Sequence, residues 1–467
     1  MKFSLSWLHR HLETSASIEE LAAALTRLGL EVEALDNPAA ALRDFVVARI
    51  EEAAPHPQAD RLRVCLVNDG TSVLQVVCGA PNARAGLYTV LARPGVVIPA
   101  TGETLQKTVI REVESCGMMC SGRELCLSEE EKGIIELSTE TPLGTSVASL
   151  YNDPVFDLSV TPNRADCFGV RGIARDLAAA GLGTLRPLPE VALSSAYPFS
   201  YKISYGDQEA RHYCPLFCAV EIRGVKNGSS PQWLQDLLKK AGQHAISTLV
   251  DITNFFALDR CRPLHCYDIR AFAGTPLVRS AQPGEIFTDL KGREHKLSPF
   301  MSVLADEAGV LGLLGVMGGE RSASMLDTST ILLEAAWFTP ESITRTGQEL
   351  CLTTEARMRF ERGVDYAQTV RDLEAAAAMI LDLCGGEAST VFQLGAFPQE
   401  PKAISLPTQF FVERAGVSLS EGEISDLLQK LGCKETKPQT FVPPSWRSDL
   451  TVPENLCGEI LRLYGFD

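Results

Sequence analysis

The chain is short of paired cysteines, histidines, positive charge and long apolar runs, and each shortage removes a class of function. Its fourteen cysteines are scattered and none forms a CxxC pair. The closest groupings are Cys116 with Cys120 and Cys126, Cys214 with Cys218, and Cys261 with Cys266. None has the short paired spacing of a structural zinc site, and His212 ahead of Cys214 does not supply it. Reduced, buried thiols of a cytosolic chain are the reading that remains. Basic residues number 43 against 59 acidic, a net charge of −16. Affinity for phosphate backbones comes from positive patches, so nothing in this balance suggests a general nucleic-acid binder. Any RNA contact must come from local features or from a partner subunit. No run approaches the ~20 apolar residues of a membrane span. The opening "MKFSLSWLHRHLETSAS" puts histidine, arginine and glutamate where a secretory signal needs an apolar stretch. The expectation is a cytoplasmic protein with no membrane partner.

What is present points to several domains. A chain of 467 residues should hold about three. "SIEELAAALTRLG" opens with Ser17 and has Glu20 three residues on, a capping box. Leu21, Leu25 and Leu28 share one helix face and Gly29 ends it. "SEGEISDLLQKLG" repeats the device with Ser420, Glu423 and Gly432. "VTPNRAD" (160–166) and "VPPSWRSD" (442–449) then each give an extended, proline-bearing entry and Arg-x-Asp, followed by the helical patterns "VRGIARDLAAAG" and "NLCGEILRLYG". This reads as one small helical module used twice. The first copy, 1–39 with 151–195, is split by an insertion at 40–150, and the second spans 400–467.

The insertion reads as β. "FVVARIEEAAPHPQADRLRVCLVNDG" alternates, turns at Pro55 and Pro57, and alternates again; "SVLQVVCGAPN", "YTVLARPGVVIP" and "MMCSGREL" continue short strands, as in a small closed barrel. Residues 46–140 hold nine basic and thirteen acidic side chains, so composition gives this barrel no RNA-binding surface. Residues 197–397 mix strands ("SYKISYG", "CAVEIRGV", "SVLADEAGVLGLLGVMGG", "STILLEAAWF") with helices ("SPQWLQDLLKKAG", "AQTVRDLEAAAAMILDLCGG") without the strand–helix rhythm of a dinucleotide fold. The predicted class is α+β, multidomain.

Several places in the central region carry groups with chemical potential. "VDITNFFALDRCRPLHCYD" holds Thr253, Asn254 and His265. His265 reads as a core histidine, half of a metal site with Cys261 and Cys266, or a catalytic group. "GLLGVMGGERS" is punctuated by Gly315, Gly318 and Gly319. No Gly-Lys-Ser/Thr follows, so it is no P-loop; it is a strand-to-turn corner or a close backbone approach to a ligand. Glu334 sits inside the apolar run "STILLEAAWF". A carboxylate there either faces solvent from an edge or lines a pocket where it accepts a hydrogen bond. Arg357, Arg359, Glu361 and Arg362 read as a salt-bridged helix face. Asp449, Glu454 and Glu459 could gather around a cation, but a solvated acidic surface fits them better.

Taken together these segments resemble the β subunit of bacterial phenylalanine–tRNA ligases, in that family's order and along essentially the whole chain. "PHPQADRLRVC", "VCGAPNARAG" and "GMMCSGREL" are similar to its inserted, OB-type tRNA-binding barrel. "VTPNRADCFGVRGIARDLAA", "VPPSWRSDL" and "EILRLYGFD" are similar to its helical modules. "VDITNFFALDRCRPLHCYD", "LGVMGGERSAS", "LLEAAWF" and "TTEARMRFERGVD" are similar to its editing domain, of the B3/B4 type. The resemblance implies an α2β2 ligase that charges tRNA-Phe with ATP, the ATP bound by the α subunit, and a β subunit that hydrolyses mischarged Tyr-tRNA-Phe. The family's chain continues with a catalytic-like domain and an anticodon-binding domain not found here, so this chain alone is not expected to aminoacylate. A free-standing trans-editing hydrolase and a non-catalytic tRNA-binding or assembly scaffold are the alternatives.

By the same resemblance Glu334 accepts a hydrogen bond from the tyrosyl phenol, while His265 sits beside the ester and either positions the water or takes its proton. Thr253, Asn254, Thr354 and Ala356 line the site and Gly318 forms its floor. A hydrophobic pocket rejects an added hydroxyl only ~100-fold, which is the physical need for such a second site. The family's magnesium positions fall on Asp449, Asn455, Gly458 and Glu459, of which two are not acidic here.

Overall fold

Serine followed three residues later by glutamate opens two helices in this computed structural model, which describes residues 1–128, 130–397 and 401–465. Ser17 Oγ accepts from the Glu20 backbone and Glu20 returns a bond to the Ser17 backbone, starting the helix Ile18–Arg27. Ser420 and Glu423 do the same for Glu421–Lys430. Each reciprocal pair satisfies two donors that a helix start leaves open. The two Arg-x-Asp segments also match in their ion pairs. Arg164 grips Asp166 through Nε and Nη2 and reaches Asp176 through Nη1 at 2.7 Å. Arg447 grips Asp449 and reaches Glu459 with the same nitrogens at the same sequence offsets. Asp176 lies on the helix Val170–Ala179 and Glu459 on Pro453–Tyr464. Arg462 links the two sets, donating to Asp176 at 2.8 Å and to Glu459 at 2.6 Å.

The chain forms two compact units, residues 1–34 with 156–467 and residues 35–155. The second is built on an antiparallel sheet in the order Met118–Met119, Tyr88–Ala92, Val46–His56, Ala59–Asn68, Val73–Cys78. Just ahead of Met118–Met119 the Cys116 N–H donates to the Gln75 carbonyl of Val73–Cys78 at 2.8 Å, which draws the two edges together. Ala48, Ile50, Cys65, Val67, Val76 and Leu91 fill one side of it.

The central part of the first unit stacks helices, a sheet and a second sheet. The first sheet runs Ser195–Tyr197, Glu387–Ser389, Leu216–Arg223, Thr330–Trp337, His265–Asp268. Along Thr330–Trp337, Ile331, Leu333 and Ala335 pack among the helices Thr248–Arg260 and Thr369–Cys384. Leu332 and Ala336 face the second sheet, ordered Ser204–Tyr205, Leu277–Ser280, Ser302–Asp306, Gly309–Leu313, Met317–Gly318. With both faces covered the strand reads as an unbroken apolar run. The period of two puts Glu334 on the face of Leu332 and Ala336, towards the second sheet.

The helix Thr248–Arg260 is held at both ends. Asp251 accepts from Ser230 Oγ and the Ile246 backbone; Asp259 Oδ1 accepts from Trp7 Nε1 and lies 2.7 Å from His11 Nε2. No helix is long and apolar enough to cross a membrane among the described residues.

Candidate functional site

Strand pairing brings the two candidate chemical groups together. His265 opens the strand His265–Asp268 and is the direct cross-strand partner of Glu334. Glu334 is therefore interior, 5% exposed, and the solvent-facing edge reading is excluded. Burial pushes its carboxyl up to about 7, opposed by a hydrogen bond from Tyr267. That bond runs from Tyr267 Oη to Glu334 Oε2 at 2.7 Å.

His265 is packed on two sides. The Tyr267 ring meets it edge-on, centroids 4.3 Å apart. On another side lies Gly318, where an added Cβ would fall 2.3 Å from His265 Cε1 and 2.7 Å from Nε2. Only a residue without a side chain lets this backbone pass so close. His265 Nε2 is buried with no hydrogen-bond partner. Burial also pushes the imidazole down to about 4, so it is neutral at pH 7.

A cavity of about 820 Å³ opens beside this pair, within the range of small-ligand sites. Thr253, Asn254, His265, Gly318, Thr354 and Ala356 all line it. Thr354 caps the helix Glu355–Phe360, accepting from the Arg357 N–H, and donates its hydroxyl to the Val316 carbonyl at 2.8 Å. It thereby fastens that helix to the Gly318 corner. Thr253 Oγ1 donates to the Val250 carbonyl within its own helix. Glu334 does not reach this cavity. It lines an inner one of about 60 Å³, walled by His265, Tyr267, Met317, Gly318 and Ala356. His265, Met317, Gly318 and Ala356 border both spaces. An apolar cavity that admits benzene measures roughly 150 Å³, so a ring enters the inner space only if its wall moves.

Tyr267, bonded to Glu334 and lining the same cavity, is a site residue that the sequence reading missed. The signal was its place two residues after His265, which in a strand means the same face. Cys261 and Cys266 are not ligands: the Cys261 thiol donates to the Ala165 carbonyl and Cys266 Sγ accepts from Ser324. The arginine-rich segment is salt-bridged, and it departs from a surface face in one respect. Arg357 and Arg362 pair with Glu361 and Arg359 with Glu355, but Arg359 is fully buried and also donates to the Ala257 and Phe168 carbonyls.

The acidic positions near the C-terminus do not suit a magnesium ion. Both Asp449 oxygens are taken by Arg447, and Glu459 is held by Arg447 and Arg462. Asn455 Oδ1 accepts from the Thr451 and Val452 backbones, capping its helix, and Gly458 offers no ligand. Burial alone would raise the Glu459 carboxyl, but the bond and charge of Arg447 and the charge of Arg462 hold it far below the usual range. A guanidinium supplies the positive charge here, and no cluster able to hold a metal is present among the described residues. Glu459 is also 6% exposed, which corrects its reading as part of a solvated acidic surface; Glu454 is exposed.

Three family models match the chain: a putative tRNA binding domain over residues 45–146, a B3/4 domain over 213–385, and a tRNA synthetase B5 domain over 404–466. The phenylalanine–tRNA ligase β subunit of Novosphingobium aromaticivorans is 49% identical over the whole chain and 58% of its own length. That of Paramagnetospirillum magneticum is 47% identical over the whole chain and 59% of its own length. The chain thus spans under two thirds of the curated relatives it matches. Among solved structures, an N-terminal fragment of the phenylalanyl-tRNA synthetase β subunit from Pyrococcus horikoshii aligns with a TM-score of 0.37 and 17% identity, covering 68% of this chain and 88% of the fragment.

Proposed function

Since the chain belongs to the family of phenylalanine–tRNA ligase β subunits, we propose that its central domain hydrolyses Tyr-tRNA-Phe made in error by the ligase. The observation that carries this is the pairing of His265 with Glu334 on adjacent strands, beside a cavity lined by Gly318, Thr354 and Ala356. The aminoacyl end of the tRNA occupies the 820 Å³ cavity and the aromatic ring turns inward. Met317 borders both spaces, and its unbranched, adaptable side chain is the wall that yields.

Glu334 selects the substrate. A tyrosyl phenol donates to its carboxylate, whereas a phenyl ring displaces water and returns nothing, at a cost of about 1–3 kcal/mol. His265 acts on the ester. With its imidazole neutral down to about pH 4, it is too weak a base to take a proton efficiently near pH 7. Its unpartnered Nε2 instead holds and orients the attacking water once the movement of the Met317 wall uncovers it. The water oxygen bonds to the ester carbonyl carbon, the bond from that carbon to the ribose oxygen breaks, and the proton the water gives up ends on that ribose oxygen, giving tyrosine and free tRNA.

In this reading residues 40–150 form an OB-type barrel that contacts tRNA, and 1–39 with 151–195 and 400–467 are the two helical modules. The α subunit, in a cytoplasmic α2β2 assembly, binds ATP and performs the charging. The test is binding of a non-hydrolysable 3′-amide analogue of tyrosyl-adenosine, followed by nuclear magnetic resonance. Shifts are expected at Met317, Gly318, Thr354 and Ala356, with weaker binding in Glu334→Ala; shifts confined to other regions would refute the assignment.

A further inference from the structure

Glu334 is already bonded to a phenol, and it belongs to the protein. Tyr267 pairs with Leu332 across the strands, so its ring lies diagonal to Glu334 on the same face, and the 2.7 Å bond joins two buried groups. The ring is fixed in place. Gly312 passes so close that an added Cβ would stand 3.0 Å from Tyr267 Oη, and His265 covers an edge. Tyr267 also lines the inner cavity with Glu334.

Resting on the reading of Glu334 as acceptor for a tyrosyl substrate, we infer that Tyr267 is a specificity-determining residue whose hydroxyl stands in for the substrate phenol. A carboxylate has two oxygens and about four acceptor sites. Tyr267 occupies Oε2, which directs an incoming phenol to Oε1. When a phenylalanyl group enters instead, Glu334 keeps one donor and its desolvation is only partly unpaid. The internal phenol therefore lowers the barrier against phenylalanine, and the pocket separates the two esters less sharply than a bare carboxylate would. It also keeps the carboxyl oriented and favours its ionised form. A phenylalanine at this position would fill the same space and do neither.

The test compares hydrolysis of Tyr-tRNA-Phe and Phe-tRNA-Phe at pH 8 by the assembled ligase with wild-type β chain or Tyr267→Phe. The ratio of kcat/KM values is expected to rise about fivefold to tenfold, through slower hydrolysis of the phenylalanyl ester. An unchanged or lower ratio would overturn the inference, as would loss of tyrosyl-ester hydrolysis. A second readout reports on Tyr267 directly. In a carbon-13 titration of the Glu334 carboxyl, Tyr267→Phe is expected to raise the midpoint above that of the wild type, and an unmoved midpoint would contradict the role. Should the variant not fold, 3,5-difluorotyrosine placed at 267 is a stronger donor and should lower the selectivity ratio; no change overturns the inference. Glu334→Ala separates the two levels. If it leaves Tyr-tRNA-Phe hydrolysis unaltered, the editing reading itself fails; if it matters and Tyr267→Phe does not, only the role of Tyr267 fails.

Discussion

Replacing Glu334 by glutamine is expected to change how stability depends on pH. The group sits opposite His265. Burial moves the Glu334 carboxyl from 4.5 up to about 7 and the His265 imidazole from 6.5 down to about 4. Between pH 4.5 and 7 the folded chain keeps a proton on Glu334 that the unfolded chain has released, so this group costs stability as pH rises. His265 has the opposite sign: between pH 4 and 6.5 the unfolded chain binds a proton that the folded chain refuses, so stability is gained as pH rises. Each slope approaches about 1.4 kcal/mol per pH unit, and they cancel where the windows overlap. Glu334→Gln removes one and uncovers the other. Relative to wild type it should gain about 3 kcal/mol as pH goes from 4.5 to 7, and His265→Gln should lose about as much between pH 4 and 6.5. Guanidinium unfolding at half-unit pH steps measures this, and subtracting the wild-type profile removes the other acidic groups. A difference curve that stays flat across pH 4.5–7 for Glu334→Gln would refute the buried, proton-holding carboxyl.

Gly318→Ala puts a methyl 2.3 Å from His265 Cε1. It should cut Tyr-tRNA-Phe hydrolysis at least about tenfold while costing about 1–3 kcal/mol of stability; full activity would show that the ring's position is not critical. Millimolar magnesium should leave the thermal unfolding midpoint unchanged, because Arg447 already fills the role of cation beside Asp449 and Glu459. A stabilising shift that Asp449→Asn abolishes would contradict this.

Much of the first unit was legible because its signals are local. Ser17 with Glu20 and Ser420 with Glu423 lie three residues apart, and both capping boxes form. The matching Arg-x-Asp segments likewise end in matching ion pairs. Glu334 was legible only as a choice, since a strand covered on both faces carries no alternation to say which side is wet. Its partner Tyr267 lies 67 residues away in sequence, and nothing in "HCYD" marks that tyrosine as a donor. The burial of Arg359, though not its ion pair with Glu355, and that of Glu459 were missed for the same reason. A charged residue on an amphipathic helix looks solvated until tertiary partners appear, here the Phe168 carbonyl for Arg359 and Arg447 for Glu459.

Single-turnover hydrolysis of Tyr-tRNA-Phe by the assembled ligase tests the central claim most directly, with His265→Ala and Glu334→Ala compared to wild type. The account expects both variants to be impaired, with Glu334→Ala also losing preference for the tyrosyl over the phenylalanyl ester. Rates equal to wild type in both variants would contradict it.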